Sequence, residues 1–279
     1  MRKTILLDGG IGTSLWQLAD ECGIEKVPVW KYNITNPQMV RELHERFINA
    51  GSEIILANTF GANRYALRRE PGYTVEEVVQ KGIEIALEAS EGKDVKVFAA
   101  AGPLPVLLEP FGDLSEEMCL DIYREQLQPA IGKADGILVQ TFMDLNMIKI
   151  AIQAALETGL PVYASMTFEK VGKTMFGNSV KQFAESVRDT GIKAIGMNCT
   201  LTPDTALPVL KQFREYTDLP LLFKPNAGKP ILAADGAVSS QTDAETFVHE
   251  ILPALEEADL IGGCCGADWN YIAKLKDSM

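Results

Sequence analysis

Three of the five cysteines occur at positions where their thiols could do chemistry together. Cys199 ends one short apolar run, and Cys264 and Cys265 end another. Three thiolates suit tetrahedral zinc, and three protein ligands leave one coordination position open for a substrate. A thiol that enters this position loses its proton, and the thiolate is the reactive sulfur nucleophile. We therefore predict a catalytic zinc site that activates a thiol.

A simpler interpretation is that these cysteines are buried apolar residues, which is common for free cysteine. We apply that interpretation to Cys22 and Cys119, which lie outside the apolar runs. The glycines of the segment 262–266 favour the metal site, because they let adjacent cysteines turn toward one ion. An odd number of cysteines does not suggest a disulfide framework.

Short apolar runs that alternate with amphipathic helical patterns would have to position these thiols. The runs are typical of strands buried on both faces, and their alternation with helices implies parallel pairing. We predict one α/β domain over residues 1–279, a single (β/α)8 TIM barrel, with an open doubly wound sheet as the alternative. The predicted strands are Ile5–Asp8, Glu53–Ala57, Val95–Ala101, Gly136–Gln140, Pro161–Met166, Ala194–Asn198, Leu219–Lys224 and Leu260–Gly263. The predicted helices are Asn36–Ala50, Val75–Ala89, Ser115–Ile131, Asp144–Glu157, Val180–Asp189, one starting at Thr202, Ala244–Glu256 and Trp269–Lys276.

Polar and glycine residues collect at the predicted carboxyl ends of the strands. In a barrel this end carries the functional site. We therefore expect the cysteines and these polar residues to share one face of the barrel.

Five segments carry a resemblance to a known family: residues 7–13 (LDGGIGT), 57–64 (ANTFGANR), 196–199 (GMNC), 225–230 (PNAGKP) and 262–266 (GGCCG). They resemble the homocysteine S-methyltransferase family, and most of all the homocysteine-binding domain of cobalamin-dependent methionine synthase. The resemblance implies a (β/α)8 barrel in which zinc is bound by Cys199, Cys264 and Cys265. It also implies that Asp8, Gly9 and Gly10 and the end of the fourth strand, at Gln140, hold the amino-acid part of homocysteine, and that Asn226 lies near the metal. From their places at strand ends we also expect Asn58, Thr59 and Asn198 to contact the substrate.

Gln140 departs from the pattern of the family, which commonly has glutamate at the end of the fourth strand. A carboxylate there would pair with the ammonium group of homocysteine, whereas glutamine supplies no charge. The sequence thus predicts zinc-dependent methylation of a thiol, in the first place of homocysteine to give methionine, with weaker binding of homocysteine or a different thiol as the alternatives that Gln140 raises.

The prediction of the methyl donor depends on a histidine motif that the sequence lacks. Neither His44 nor His249 lies in the Asp-x-His-x-x-Gly pattern of corrinoid modules. A methylcorrinoid would therefore come on a separate protein. The alternatives are a sulfonium donor, S-methylmethionine or S-adenosylmethionine, and a non-catalytic subunit of a corrinoid complex.

Other residues that could do chemistry have simpler interpretations. The segment 9–13 lacks the signatures of a phosphate-binding loop. Lys224 could form a Schiff base, but a structural role is the better interpretation. We expect Arg64, Arg68 and Arg69 to be solvated, the two histidines to be structural or exposed, and Trp16 and Trp30 to serve packing.

Composition excludes some broad classes of protein. The net charge is −12, with 26 Lys and Arg against 38 Asp and Glu, which argues against a nucleic-acid-binding protein. No apolar run approaches the length of a membrane span, and the amino terminus does not resemble a signal peptide. We expect a cytoplasmic enzyme that acts on a small-molecule thiol.

Overall fold

A computed structural model describes residues 3–68, 70–228, 231–232, 238–239 and 242–279. Its strands are Ile5–Leu6 (β1), Ile54–Leu56 (β2), Lys96–Ala101 (β3), Gly136–Phe142 (β4), Val162–Met166 (β5), Ala194–Asn198 (β6), Leu221–Lys224 (β7), Ile231–Leu232 (β8), Val238–Ser239 (β9) and Leu260–Ile261 (β10). Its α-helices are Ile11–Cys22 (α1), Tyr32–Thr35 (α2), Pro37–Asn49 (α3), Arg64–Leu67 (α4), Val75–Ser90 (α5), Glu116–Leu127 (α6), Leu145–Glu157 (α7), Val180–Val187 (α8), Pro203–Phe213 (α9), Ala244–Ile251 (α10) and Trp269–Ser278 (α11).

Eight of these strands form one parallel sheet in the order β1-β10-β7-β6-β5-β4-β3-β2. A parallel bridge between Leu7 and Ile54 brings the end of β1 to β2, so the sheet curves into a nearly closed barrel. The predicted (β/α)8 fold is confirmed. Strands β8 and β9 form a separate antiparallel pair, which is not among the predicted strands.

Two apolar layers stabilise the barrel. The larger layer lies between the sheet and the surrounding helices, as expected from helices whose apolar residues recur on one face. The smaller layer combines residues of β2, β3, β4, β6, β7 and β10, together with Leu7. Burial on both faces explains why these strands are nearly continuous apolar runs.

The helices differ from the sequence prediction in number and in length. Helices α1, α2 and α4 were not predicted; α1 starts directly at the glycine-rich segment after β1, and α2 and α4 have four residues each. The predicted helices 115–131 and 244–256 each end earlier and continue as a 3₁₀ turn, Gln128–Ala130 and Leu252–Glu256. Pro129 and Pro253 explain both ends, since proline has no N–H to continue an α-helix.

Candidate functional site

The cysteine cluster lies at the carboxyl end of the barrel. Cys199 follows β6, while Cys264 and Cys265 follow β10, and β7 lies between these two strands in the sheet. The three Sγ atoms all lie within 4.8 Å of one another. The Sγ atoms of Cys199 and Cys265 are 3.7 Å apart. Residues that are 65 positions apart in the sequence therefore form one three-sulfur cluster.

The end of β7 holds both cysteine segments through its backbone. The N–H of Cys199 donates to the carbonyl of Lys224 at 3.0 Å, and the N–H of Cys264 donates to that of Pro225 at 2.8 Å. Cys199 has a φ of 64°. This left-handed conformation is costly for a residue with a Cβ, and such strained residues concentrate at functional sites.

Glycines let the segment after β1 pack against the cysteine segment. A Cβ on Gly10 would lie 2.5 Å from the carbonyl oxygen of Cys264, and one on Gly9 would lie 2.1 Å from that of Ala267. Thr13 Oγ1 accepts a hydrogen bond from the N–H of Gly266 at 3.2 Å. The glycines in this motif are thus required by close approach of two backbones.

Asn198 connects the cluster to the neighbouring strands. Its Oδ1 accepts from the N–H of Thr141 at 2.9 Å and from Ser165 Oγ at 2.7 Å. Its Nδ2 donates to Thr141 Oγ1 at 2.7 Å and lies 3.7 Å from Cys264 Sγ. These four contacts fix the orientation of the Asn198 amide, so that its Nδ2 faces Cys264 Sγ.

The environment of Cys264 favours the thiolate. Its pKa is lowered, first by a hydrogen bond from the Cys199 thiol and then by that of Cys265, and further by the charge of Lys224 and the Asn198 amide. The pKa of Cys199 is raised, because its thiol forms hydrogen bonds with Cys264 and Cys265 and is itself buried. The cluster therefore concentrates negative charge on one sulfur.

A cavity of about 290 Å³ opens above the cluster. The three cysteines form part of its wall, together with the segment 9–13 at the start of α1. Trp16, Trp30 and Phe60 supply apolar surface, and Asn58 and Gln140 supply amide groups. The volume suits a small molecule, which could contact the cysteines in the cavity wall.

The residues predicted to bind substrate divide into two groups. Gly9, Gly10, Asn58 and Gln140 border the cavity. The others are not among the residues that border it, and each has its own local role. Thr59 Oγ1 bridges the backbone N–H and C=O of Ala100 on β3. Among the described residues, buried Asn226 has no hydrogen-bond partner for its Oδ1.

Both carboxylate oxygens of Asp8 accept hydrogen bonds from groups of the protein itself. Its Oδ1 accepts from Lys224 Nζ at 2.5 Å, and its Oδ2 accepts from the N–H of Leu56 at 2.7 Å. Burial raises the pKa of the Asp8 carboxyl, and the contacts with Lys224 and Leu56 act against that rise. Lys224 is therefore a partner in a buried ion pair, which agrees with the structural interpretation of its sequence position.

The remaining candidates have structural contacts. Trp16 Nε1 donates to the carbonyl of Val27, and Trp30 packs edge-on against Tyr73. Arg64 pairs with Glu125 at 2.7 Å. These contacts fit packing and surface roles, although both tryptophans also border the cavity.

Arg68, His44 and His249 are not among the residues that border the cavity. Arg68 lies over the ring of Tyr65, whereas Arg69 is outside the described residues, as are Lys229 and Pro230 of the 225–230 motif. His44 is buried and His249 is exposed. Within the described part of the chain, no helix is long and apolar enough to cross a bilayer.

Sequence reasoning missed two features of the site. Thr141, which follows Gln140 in β4 and is not among the predicted site residues, borders the cavity with a φ of 70°. Phe60 also borders it, and a Cβ on Gly102 would collide with the Phe60 ring at 2.3 Å. A positive φ at a β-branched residue has no signal in the sequence, whereas the glycine opposite Phe60 offered a weak one.

Comparison with known proteins gives a consistent family assignment. A family model described as homocysteine S-methyltransferase matches residues 5–279. The methionine synthases of Mycobacterium leprae (strain TN) and Mycobacterium tuberculosis (strain ATCC 25618 / H37Rv) are 28% and 29% identical to this chain over 98% of it. The chain spans 24% of the length of each of these relatives.

A solved structure shares the fold along almost its whole length. The homocysteine methyltransferase MmuM from Escherichia coli, in its metallated form, superimposes with a TM-score of 0.81. The match covers 99% of this chain and 96% of that chain, at 20% identity. At this identity the likeness establishes the common barrel architecture.

Proposed function

Because this chain belongs to the homocysteine S-methyltransferase family and is a methyltransferase, we propose that it transfers a methyl group to a thiol at the cysteine cluster with the help of zinc. The observation that carries this proposal is the convergence of three sulfurs from separate strands on one cavity. Homocysteine, whose methylation gives methionine, is the first acceptor to test, since the family description names it.

The geometry of the sulfurs fits zinc. With Zn–S bonds of about 2.3 Å and tetrahedral angles, two sulfur ligands lie roughly 3.8 Å apart. The observed separation between Cys199 and Cys265 is 3.7 Å. A set of three ligands with cavity on one side is the arrangement of a catalytic zinc site rather than a closed structural one.

Bound there, zinc would supply the Lewis acidity that keeps an incoming thiol deprotonated at neutral pH. Cys199, Cys264 and Cys265 would hold the ion, and Asn198 orients Cys264 through its amide. Trp16 and Trp30 would give the sulfur that is to react an apolar wall. In the transfer the acceptor loses its S–H proton and forms an S–CH₃ bond, while the bond from methyl to the donor breaks and its electron pair stays with the donor.

The donor proposed here is a methylcorrinoid on a separate protein. The similarity to methionine synthases supports it, as the chain matches about a quarter of those proteins. A second candidate is a sulfonium compound. Such a donor is a small molecule and would not need a corrinoid protein.

The test measures zinc content and thiol methylation in the same preparations. Zinc-loaded protein is mixed with homocysteine and with methylcobalamin, a methylated corrinoid protein, S-methylmethionine or S-adenosylmethionine in turn. We expect about one zinc per chain and formation of methionine with one donor class. Cys199→Ala should lose both zinc and activity, whereas Cys22→Ala, which changes an exposed cysteine outside the cluster, should retain both. Zinc-free protein with full activity would contradict the proposal.

A further inference from the structure

We infer that the natural acceptor is a thiol that carries a carboxylate but no ammonium group, so that homocysteine is a poor substrate compared with its des-amino analogue. This inference rests on the proposed methyl transfer at the cysteine cluster. It concerns the part of the acceptor that lies away from the sulfur, which must be recognised by the cavity wall.

The part of the cavity wall that the structure describes offers no negative charge outside the cysteine cluster. Of the described residues that border it, none is aspartate or glutamate, and Lys224 is the one with a formal charge. The ammonium group of an α-amino thiol would therefore enter a cavity without a carboxylate partner. Burying a charged group without a partner is unfavourable.

Asp8 is the nearest carboxylate in sequence to the glycine segment, and it is unavailable. Its side chain is 0% exposed, and it pairs with Lys224, whose side chain is 2% exposed. Its second oxygen accepts the backbone N–H of Leu56. Recruiting Asp8 to a substrate ammonium would leave Lys224 as an unpaired buried cation, which is strongly unfavourable.

Gln140 borders the cavity with a neutral amide. Among the described residues, no side chain or backbone group forms a hydrogen bond with this amide. Its free Nε2 can donate to a carboxylate of the acceptor. Its Oε1 accepts only as a neutral oxygen, which is a weaker partner for an ammonium group than a carboxylate would be.

The positively polarised groups lie in the same cavity. Lys224 borders it with its Nζ paired to Asp8, and the start of the 12-residue helix α1 borders it too. The N-cap residue of this helix, Gly10, has no side chain to cap the first turn, and the first turn contains no acidic residue. Together with the Gln140 amide, the N–H groups of this first turn favour a carboxylate over an ammonium.

The experiment uses three thiols that differ in one group each. Homocysteine carries both charged groups, 4-mercaptobutanoate lacks the ammonium, and 3-aminopropane-1-thiol lacks the carboxylate. The kcat/KM of the zinc-loaded protein is measured for each with the donor that works best. We expect 4-mercaptobutanoate to exceed homocysteine by about tenfold, the scale of one charged hydrogen bond, and 3-aminopropane-1-thiol to be the poorest.

A charge-restoring variant tests the role of Gln140. Gln140→Glu should raise kcat/KM for homocysteine and for 3-aminopropane-1-thiol and lower it for 4-mercaptobutanoate, and so reverse the order. The matched control is Gln38→Glu, which makes the same chemical change on an exposed position of α3 that does not border the cavity. We expect this control to leave the order of the three thiols unchanged.

Thiol binding is measured in parallel from the shift of the thermal unfolding midpoint of zinc-loaded protein. If no thiol is methylated but the binding order is as expected, the proposed methyl transfer fails, while the preference of the cavity for a carboxylate without an ammonium group stands. If homocysteine is methylated with a kcat/KM equal to or above that of 4-mercaptobutanoate, or binds at least as tightly, the inference is wrong and the proposed function stands. The same holds if Gln140→Glu does not change the order of the three thiols.

Discussion

Replacing Gly10 by alanine should displace the backbone that carries Cys264. The added Cβ would lie 2.5 Å from the carbonyl oxygen of Cys264 and 2.7 Å from Thr13 Oγ1. Gly10 has a φ of −83° and a ψ of 91°, which alanine adopts readily, so the effect would come from the collision alone. The carbonyl belongs to the backbone and cannot rotate away, so the cysteine segment must move by several tenths of an ångström.

Overpacking of this kind costs about 1–3 kcal/mol of unfolding free energy. Because Cys264 moves with its carbonyl, we also expect weaker zinc binding. The matched control is Gly12→Ala, two residues further along, whose Cβ would meet only Val29 Cγ2 at an ordinary 3.7 Å. Alanine in a helix is favoured over glycine, so this variant should be more stable by about 0.5–1 kcal/mol.

Urea unfolding of the metal-free proteins measures the stability change, and zinc titration against a chelator of known affinity measures binding. Gly10→Ala should show both a loss of stability and a loss of zinc affinity, and Gly12→Ala should show neither. If Gly10→Ala binds zinc as the wild type does and unfolds within about 0.5 kcal/mol of it, the close approach of the two segments is not what holds Cys264.

Three further predictions concern single side chains. Burial lowers the pKa of His44 from 6.5 to about 4, so the neutral side chain is stable in the fold above pH 6.5 and the unfolding free energy falls as the pH drops toward 4. Measured by urea unfolding, wild type should lose about 2.5 kcal/mol more than His44→Leu between pH 7.5 and 4.5. Equal pH dependence of the two proteins would contradict this. Lys224→Met should lower the unfolding free energy by about 3–5 kcal/mol, because it leaves Asp8 buried without its counterion, and adding Asp8→Asn should restore part of that loss. Asn198→Ala should lower the unfolding free energy by about 2–4 kcal/mol, because it leaves buried donors on Thr141 and Ser165 unpaired. An unchanged midpoint of urea unfolding would count against the contacts described for this amide.

The sequence by itself determined the barrel and the place of its functional face. Nearly continuous apolar runs fix the strands, because both faces of a parallel strand are buried, and the alternation with helices fixes their direction. Cys199 follows β6 and Cys264 follows β10, so their common face followed from the order of the strands. The three-sulfur cluster could be predicted for this reason, since metal-ligating residue types at strand ends are visible in the sequence.

Only the tertiary structure decided what each polar side chain contacts. Asp8 and Lys224 are 216 positions apart, and either could have faced the cavity. Their pairing depends on the barrel closing with one register, and a shift of one residue would turn each side chain to the other face. The absence of a carboxylate on the described cavity wall follows from that pairing together with Gln140. Local sequence preferences do not record contacts between distant strands, so the sequence showed the neutral Gln140, whereas the withdrawal of Asp8 from the cavity could be seen only in the folded chain.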